Sequence, residues 1–271
     1  CYWNGRARAD VRIEPPPAGV AWLSGGTLIA LTVPPGDAGI DRDALLNNAD
    51  DGVHPPDAPH PPLAAVLRKF RIEPPPPQVQ RIEYAWEPAL YNGAALKSQL
   101  RDGGLHAGRV AAGAHLLNLS NICIRSNAII KPGCVLDAEE GPIEVAEDAV
   151  IQPNAVIEGP CYIGRGTVIR PGAVIRAETT IGEVCRVGGE VESSIFHAYG
   201  NKQHDGFVGH SYICPWVNLG ADTVTSDLKN TYGTIRVAPF GVEMETGEAV
   251  LGDELRRHPA LVRISRAVEI D

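Results

Sequence analysis

From Val145 an aliphatic residue returns every sixth position, at Ile151, Ile157, Ile163, Ile169, Ile175, Ile181 and Val187. Four places after each of the first seven comes a small residue: Ala149, Ala155, Cys161, Thr167, Ala173, Thr179 and Cys185. A helix needs apolar residues three and four apart, and a half-buried strand needs them two apart. A period of six fits a repeated unit of one short strand and one bend. Three such hexads close a triangular coil, with the aliphatic residue inward and the small one where the wall turns. Coils stack at the strand spacing of roughly 4.8 Å. Burying each inward side chain contributes about 1.5 to 3 kcal/mol. This stretch predicts a rod.

The pattern extends on both sides of that core. Ile124, Ile130 and Leu136 carry it earlier, with Ala128 and Cys134 at the small position. Nine residues separate Leu136 from Val145, which predicts a bulge at a corner over Glu139 to Pro142. After Val187 the period breaks. Residues 189–206 read as an excursion thrown out from the rod, and the repeats resume at Val208, Ile213 and Leu219. Loops on a rigid scaffold are where function concentrates.

Residues 1–107 hold no hexads and read as an α/β segment. Val11 to Ile13, Val20 to Leu23 and Thr27 to Val33 read as strands, with Gly25-Gly26 as a turn. Pro62 to Phe70 and Pro88 to Leu100 read as helices, the second with Trp86, Leu90, Leu96 and Leu100 near one face. Pro15 to Pro17 and Pro74 to Pro77 read as rigid spacers. Residues 108–237 are the rod, and residues 238–271 an irregular tail, helical before Pro259.

A net charge of −9 with no basic run argues against nucleic acid or an anionic membrane as partner. No apolar run approaches the length of a membrane span. Cys134, Cys161 and Cys185 stand at small hexad positions, so they read as buried thiols rather than metal ligands or disulfides. Reduced thiols fit the cytoplasm. The chain opens on Cys1 in what reads as ordinary folded sequence, which predicts a fragment; a lipid-anchored mature terminus is the competing reading.

Around the break, Asn201, Lys202, His204, Asp205 and Gly206 crowd together. One coil further on come Trp216, Asn218, Gly220, Ala221 and Thr223, then Asp227, Lys229 and Asn230. A histidine beside glycines and amide side chains suits acyl transfer, in which a base takes a proton from the attacking group and a backbone N–H meets the oxyanion. Two other readings stand beside it. His204 could serve only its own loop, or His197, His204 and His210 could hold zinc.

At these residues the chain resembles the bifunctional N-acetylglucosamine-1-phosphate uridyltransferase/glucosamine-1-phosphate acetyltransferase family and its close relatives. The run HDGFVGHSYICPWVNLGADTVTSDLKN is similar, without a gap, to the family segment that begins with its catalytic histidine. The resemblance spans Val145 to Val237 strongly; WLSGGT and YAWEPALYNG look more weakly like the end of a nucleotidyltransferase domain. It implies a mainly β fold, a left-handed parallel β-helix preceded by a partial α/β nucleotidyltransferase-like segment. That hand runs against the usual crossover preference. It also implies a homotrimer, acetyl-CoA as co-substrate and an amino-sugar-1-phosphate as acceptor. Mg²⁺ would serve only the full-length nucleotidyltransferase domain, and residues 1–107 offer no Gly-rich phosphate loop.

Carried onto this chain, the resemblance makes His204 the base for the sugar amine, and it gives Asn218 the acceptor sugar. Gly220 and the amide of Ala221 face the acetyl carbonyl or the pantetheine arm. Arg176, or Arg170 one hexad earlier, meets the sugar phosphate. Three positions depart from the family: Phe207 replaces a tyrosine, Ser194 falls near a lysine, and Asp227 replaces an asparagine. Lys202 and Lys229 then supply the positive charge from other positions. Residues 251–271 lack the further hexads that complete the family's coenzyme site. Three functions follow as expectations: an acetyltransferase of nucleotide-sugar metabolism, a nucleotidyltransferase whose rod only assembles the oligomer, or a scaffold rod without chemistry. The excursion before His204 is long enough to face a neighbouring subunit.

Overall fold

The computed structural model describes residues 17–24, 27–31, 61–74, 86–100, 103–225, 228, 232–237 and 244–249. The chain divides into a smaller unit over residues 9–83 and a larger one that contains everything from Tyr84 on. In the smaller unit, strand Val20–Ser24 is central, antiparallel to Thr27–Leu31 and parallel to Arg71–Glu73. The third strand was not expected from a segment that runs into prolines. A helix over Pro61–Leu67 precedes it, burying Val66 and Leu67. Val11 to Ile13, Gly25-Gly26, Val33, Pro15, Pro16 and Pro75 to Pro77 lie outside the described residues.

The larger unit is a left-handed parallel β-helix of three walls, each a six-stranded parallel sheet. The first wall stacks Arg109–Val110, Ile129–Ile130, Val150–Ile151, Val168–Ile169, Arg186–Val187 and Asn201–Lys202. The second runs from His115–Leu117 to Phe207–Gly209, and the third from Ile122–Ile124 to Tyr212–Ile213. Their register aligns the inward residues into ladders: Ile130, Ile151, Ile169 and Val187 on the first wall, and Leu136, Ile157, Ile175, Val191 and Val208 on the second. All seven aliphatic residues from Ile151 to Val187, and all seven small residues from Ala149 to Cys185, are fully buried. Corners turn through left-handed backbone at Asn127, Asp148, Asn154, Gly166 and Gly172. Gly, Asn and Asp tolerate that conformation best.

The expected bulge appears between strands Val135–Asp137 and Ile143–Val145. The expected excursion does not. Residues 189–206 form strands Glu190–Glu192, Ile195–Ala198 and Asn201–Lys202, each paired onto the coil below. Sequence spacing hid this coil because it is short: Val187 pairs with Lys202, fifteen residues on, where Ile169 pairs with Val187, eighteen on. Phe196 takes the aliphatic place on the third wall and Val191 that on the second. The length of an excursion therefore gives no reason for His204 to reach a neighbouring subunit.

Helix Glu87–Gln99 covers part of the third wall. Glu87 and Pro88 open it and Lys97 lies in its last turn, each suited to the helix dipole or its first-turn geometry. Fully buried Asn92 fixes the docking: its Nδ2 donates to the Glu178 carbonyl at 2.6 Å, and its Oδ1 accepts from the Thr180 hydroxyl at 2.9 Å. Gly93 passes so close that an added Cβ would lie 2.4 Å from the Glu178 side chain. In the region expected to be irregular, Met244–Glu245 pairs antiparallel with Arg236–Val237, and Ile235 and Val237 pack with Trp86 and Leu90. The helix expected before Pro259 lies outside the described residues.

Candidate active site

Three corners of the first-to-second wall stack where the period breaks. The lowest, Gly188-Gly189, joins inward residues Val187 and Val191 with two residues fewer than the corner above, which joins Lys202 and Val208. Glycine is required in it. A Cβ on Gly188 would meet the Gln203 carbonyl oxygen at 2.4 Å, and one on Gly189 the Gly206 carbonyl oxygen at 2.6 Å. The His204–Gly206 corner thus rests directly on bare backbone. The third corner, Gly220–Thr223, closes from above: the Asp222 N–H donates to the Asp205 carbonyl at 3.0 Å, and Gly206 sits under the Thr223 carbonyl.

His204 itself is exposed on this edge, as are Asn218, Gly220 and Ala221. Asn218 lies over Asn201 on the outer face of the first wall, and the Asn201 amide donates to its Oδ1. These four expected site residues come together on adjacent coils. The arginines separate. Arg170 stands in the same corner column, its Cβ 3.2 Å from where a Gly188 Cβ would be. Arg176 lies beyond the second wall, with Nε donating to Glu190 and Nη1 3.6 Å from Glu158. The hydrogen bond to Glu190 holds its guanidinium above its ordinary value. Arg176 is thereby neutralised at another corner.

Lys202 was expected to offer charge to a substrate, and the structure buries it. Its side chain stands in the ladder above Val187, fully inside, with Nζ donating to the carbonyls of Gly188 at 2.8 Å and His204 at 3.0 Å. Burial pushes the ammonium below its ordinary value, opposed by the carboxylates of Asp205 and Asp222. Ser194 is also internal, donating to the Glu192 carbonyl at 2.7 Å and accepting from the Ser211 N–H at 3.0 Å. Phe207 is half-buried on the outer side of the second wall. Asp227 and Lys229 lie outside the described residues.

The three histidines weighed as zinc ligands occupy different places within the chain. His197 is on the third wall, where Nδ1 shares a proton with the Tyr212 hydroxyl at 2.8 Å and burial lowers its pKa. His210 turns the corner after the second wall and His204 the corner before it. Among the described residues no group of three or more His, Cys, Asp or Glu gathers at metal-binding range. Sequence reading missed a further pair: Tyr199 and Trp216, seventeen residues apart, stack with ring centroids 4.7 Å apart. Both hold left-handed backbone, and the Tyr199 hydroxyl donates to Glu183 at 2.9 Å.

Residues 142–177 match the bacterial transferase hexapeptide family model (six repeats). That match covers the most regular coils, from Pro142 through Ala177, and stops before the corner that carries His204. Over those residues the chain is similar to the hexapeptide repeat of bacterial transferases, and these regular coils are the platform on which the three stacked corners sit. No curated protein matches the chain. Cys134, Cys161 and Cys185 are free and buried, and burial raises all three thiols, Cys185 to about 11. Their role is packing.

Proposed function

We propose that this protein transfers an acetyl group from acetyl-CoA to the amine of an amino-sugar-1-phosphate, with His204 as general base. The observation that carries this reading is the stacking of the His204–Gly206 corner under the Gly220–Thr223 corner, joined by the Asp222 N–H on the Asp205 carbonyl. An exposed imidazole and the exposed backbone of Gly220 and Ala221 then share one edge with the amide of Asn218. The neutral imidazole takes the amine proton as the nitrogen bonds to the thioester carbon. A backbone N–H, assigned to Ala221, meets the oxyanion. The C–S bond then breaks, and coenzyme A leaves as a thiol with the proton returned by the imidazolium. Asn218 orients the sugar, and Arg170, on the same corner column, meets its phosphate.

We further propose a cytoplasmic homotrimer acting in nucleotide-sugar synthesis. Half-buried Val150 and Val168 on the first wall, and Val156 and Val174 on the second, support it, because apolar residues facing outward on flat walls suit contact with copies of the same chain. Thiol release from acetyl-CoA with a panel of amino-sugar-1-phosphates tests the chemistry. His204→Ala should lower the rate by a factor of roughly 10² to 10⁴, with the melting temperature unchanged because the side chain lies outside the ladders. His197→Ala and His210→Ala should be mild. A wild-type protein that releases no thiol with any acceptor leaves the β-helix as a structural rod.

A further inference from the structure

We infer that Lys202 is a positioning residue, whose ammonium inside the β-helix clamps the backbone of the His204 corner onto the Gly188 corner below it. The Gly188-Gly189 corner is two residues shorter than the one above it, and its brevity disturbs the hydrogen bonding. In the regular coils the corner carbonyls find backbone donors: Arg170 accepts from the Ala173 N–H, and Gln152 from the Ala155 N–H. Among the described residues, no backbone N–H reaches the carbonyl of Gly188 or of His204. Both accept from the one Nζ of Lys202. A buried carbonyl without a donor is unfavourable, and a charged donor gives a stronger hydrogen bond than a neutral one.

The location makes that ammonium structurally specific. Lys202 pairs in register with Val187, and the Leu219 N–H donates to the Asn201 carbonyl, so the lysine stem lies between two aliphatic rungs. Its tetramethylene chain fills the ladder as an aliphatic side chain would. Only its head differs from the rungs on either side. That head sits where an added Cβ on Gly189 would be 2.7 Å away, so glycine also makes room for it. The carboxylates of Asp205 and Asp222 act on the same charge, and they belong to the two upper corners. The clamp thus joins the backbone of the two lower corners, and the Asp222 carboxylate of the third acts on its charge. It sets where the His204 main chain lies and leaves the imidazole outside.

Its catalytic consequence rests on the reading of His204 as base, so the experiment separates the two. Hydrogen exchange of the full chain, read by mass spectrometry, compares wild type with Lys202→Met, which keeps the ladder's shape, and Lys202→Arg, which keeps a donor. Lys202→Met should speed exchange in residues 203–209 tenfold or more and leave residues 145–187 unchanged; Lys202→Arg should restore most of the protection. In the acyl-transfer assay, Lys202→Met should lower kcat at least tenfold with the acceptor KM within twofold; unchanged exchange over residues 145–187 in the same sample shows that loss of folded protein is not the cause. Unchanged exchange at the corner in Lys202→Met overturns the clamp; a freed corner with unchanged kcat overturns its role in positioning His204. If Lys202→Met does not fold, Lys202→Leu, which puts the side chain of the Leu219 rung at this position, takes its place in the same two readouts. A wild type without acyl transfer removes the role of His204 alone, and exchange still decides the clamp.

Discussion

The coils between Val145 and Val187 and those between Val187 and Leu219 build the same three walls from different chemistry. In the first set every rung is Ile or Val, spaced six apart, and the left-handed corners are Asp148, Asn154, Gly166 and Gly172, joined by Glu178 and Val184 toward its end. In the second, rungs include Phe196 and Lys202, the spacing shortens, and bulky Tyr199, His210 and Trp216 take left-handed backbone. Bulky residues adopt that conformation at a cost, which the coil must offset by packing. The Tyr199–Trp216 stack is such a compensation. A repetitive solenoid can carry an irregular coil because the regular coils beneath supply its register, and the irregularity is where exposed His204, Gly220 and Ala221 meet.

If the regular coils are the source of stability, one charge in their interior should outweigh any change at their edge. Ile169→Asp places an unpaired carboxylate between Ile151 and Val187 and should cost about 4 kcal/mol or more. Arg165→Asp removes a half-exposed side chain with a loose 3.5 Å contact to Glu183 and should cost no more than about 0.5 kcal/mol. Urea denaturation of the two variants makes the comparison; equal midpoints would reverse the inside and outside assignment.

A smaller effect marks the boundary between the two sets of coils. Val184 is β-branched, partly exposed and left-handed at φ 54°, at the corner position that Asn127 and Asp148 occupy in earlier coils. Val184→Asn should stabilise by about 1 kcal/mol, raising the melting temperature by a few degrees. A drop instead would mean that Val184 packs against something its exposure does not reveal.

The smallest effect is a pH dependence confined to the irregular coils. Burial lowers the pKa of His197, so between that value and about 6.5 the folded chain binds fewer protons than the unfolded one. Stability present above the unfolded value is therefore lost as pH falls through the folded one. His197→Gln should flatten this part of the curve in denaturation midpoints taken from pH 7 to pH 5. A slope unchanged by the substitution would assign the acid sensitivity to other groups.

The amino-acid sequence by itself determined the β-helix, its inward and outward residues from Ile124 to Val187, the bulge before Pro142 and the burial of the three small-position cysteines. Each follows from a period that local spacing displays, because every hexad is one strand and one bend whatever its neighbours do. The grouping of His204 with Asn218, Gly220 and Ala221 was legible from resemblance and is found on one edge. Tertiary structure decided the rest. Asn201–Lys202 has no strand signal of its own, being two polar residues, and becomes a rung only because Arg186–Val187 below offers it a register. The same pairing turned an expected loop into a coil and an expected surface lysine into an internal clamp. It also put Arg170 on the His204 column and left Arg176 to Glu158 and Glu190. A six-residue repeat specifies what points inward; where a coil is shortened, only the stacking of backbone on backbone fixes which residue arrives there.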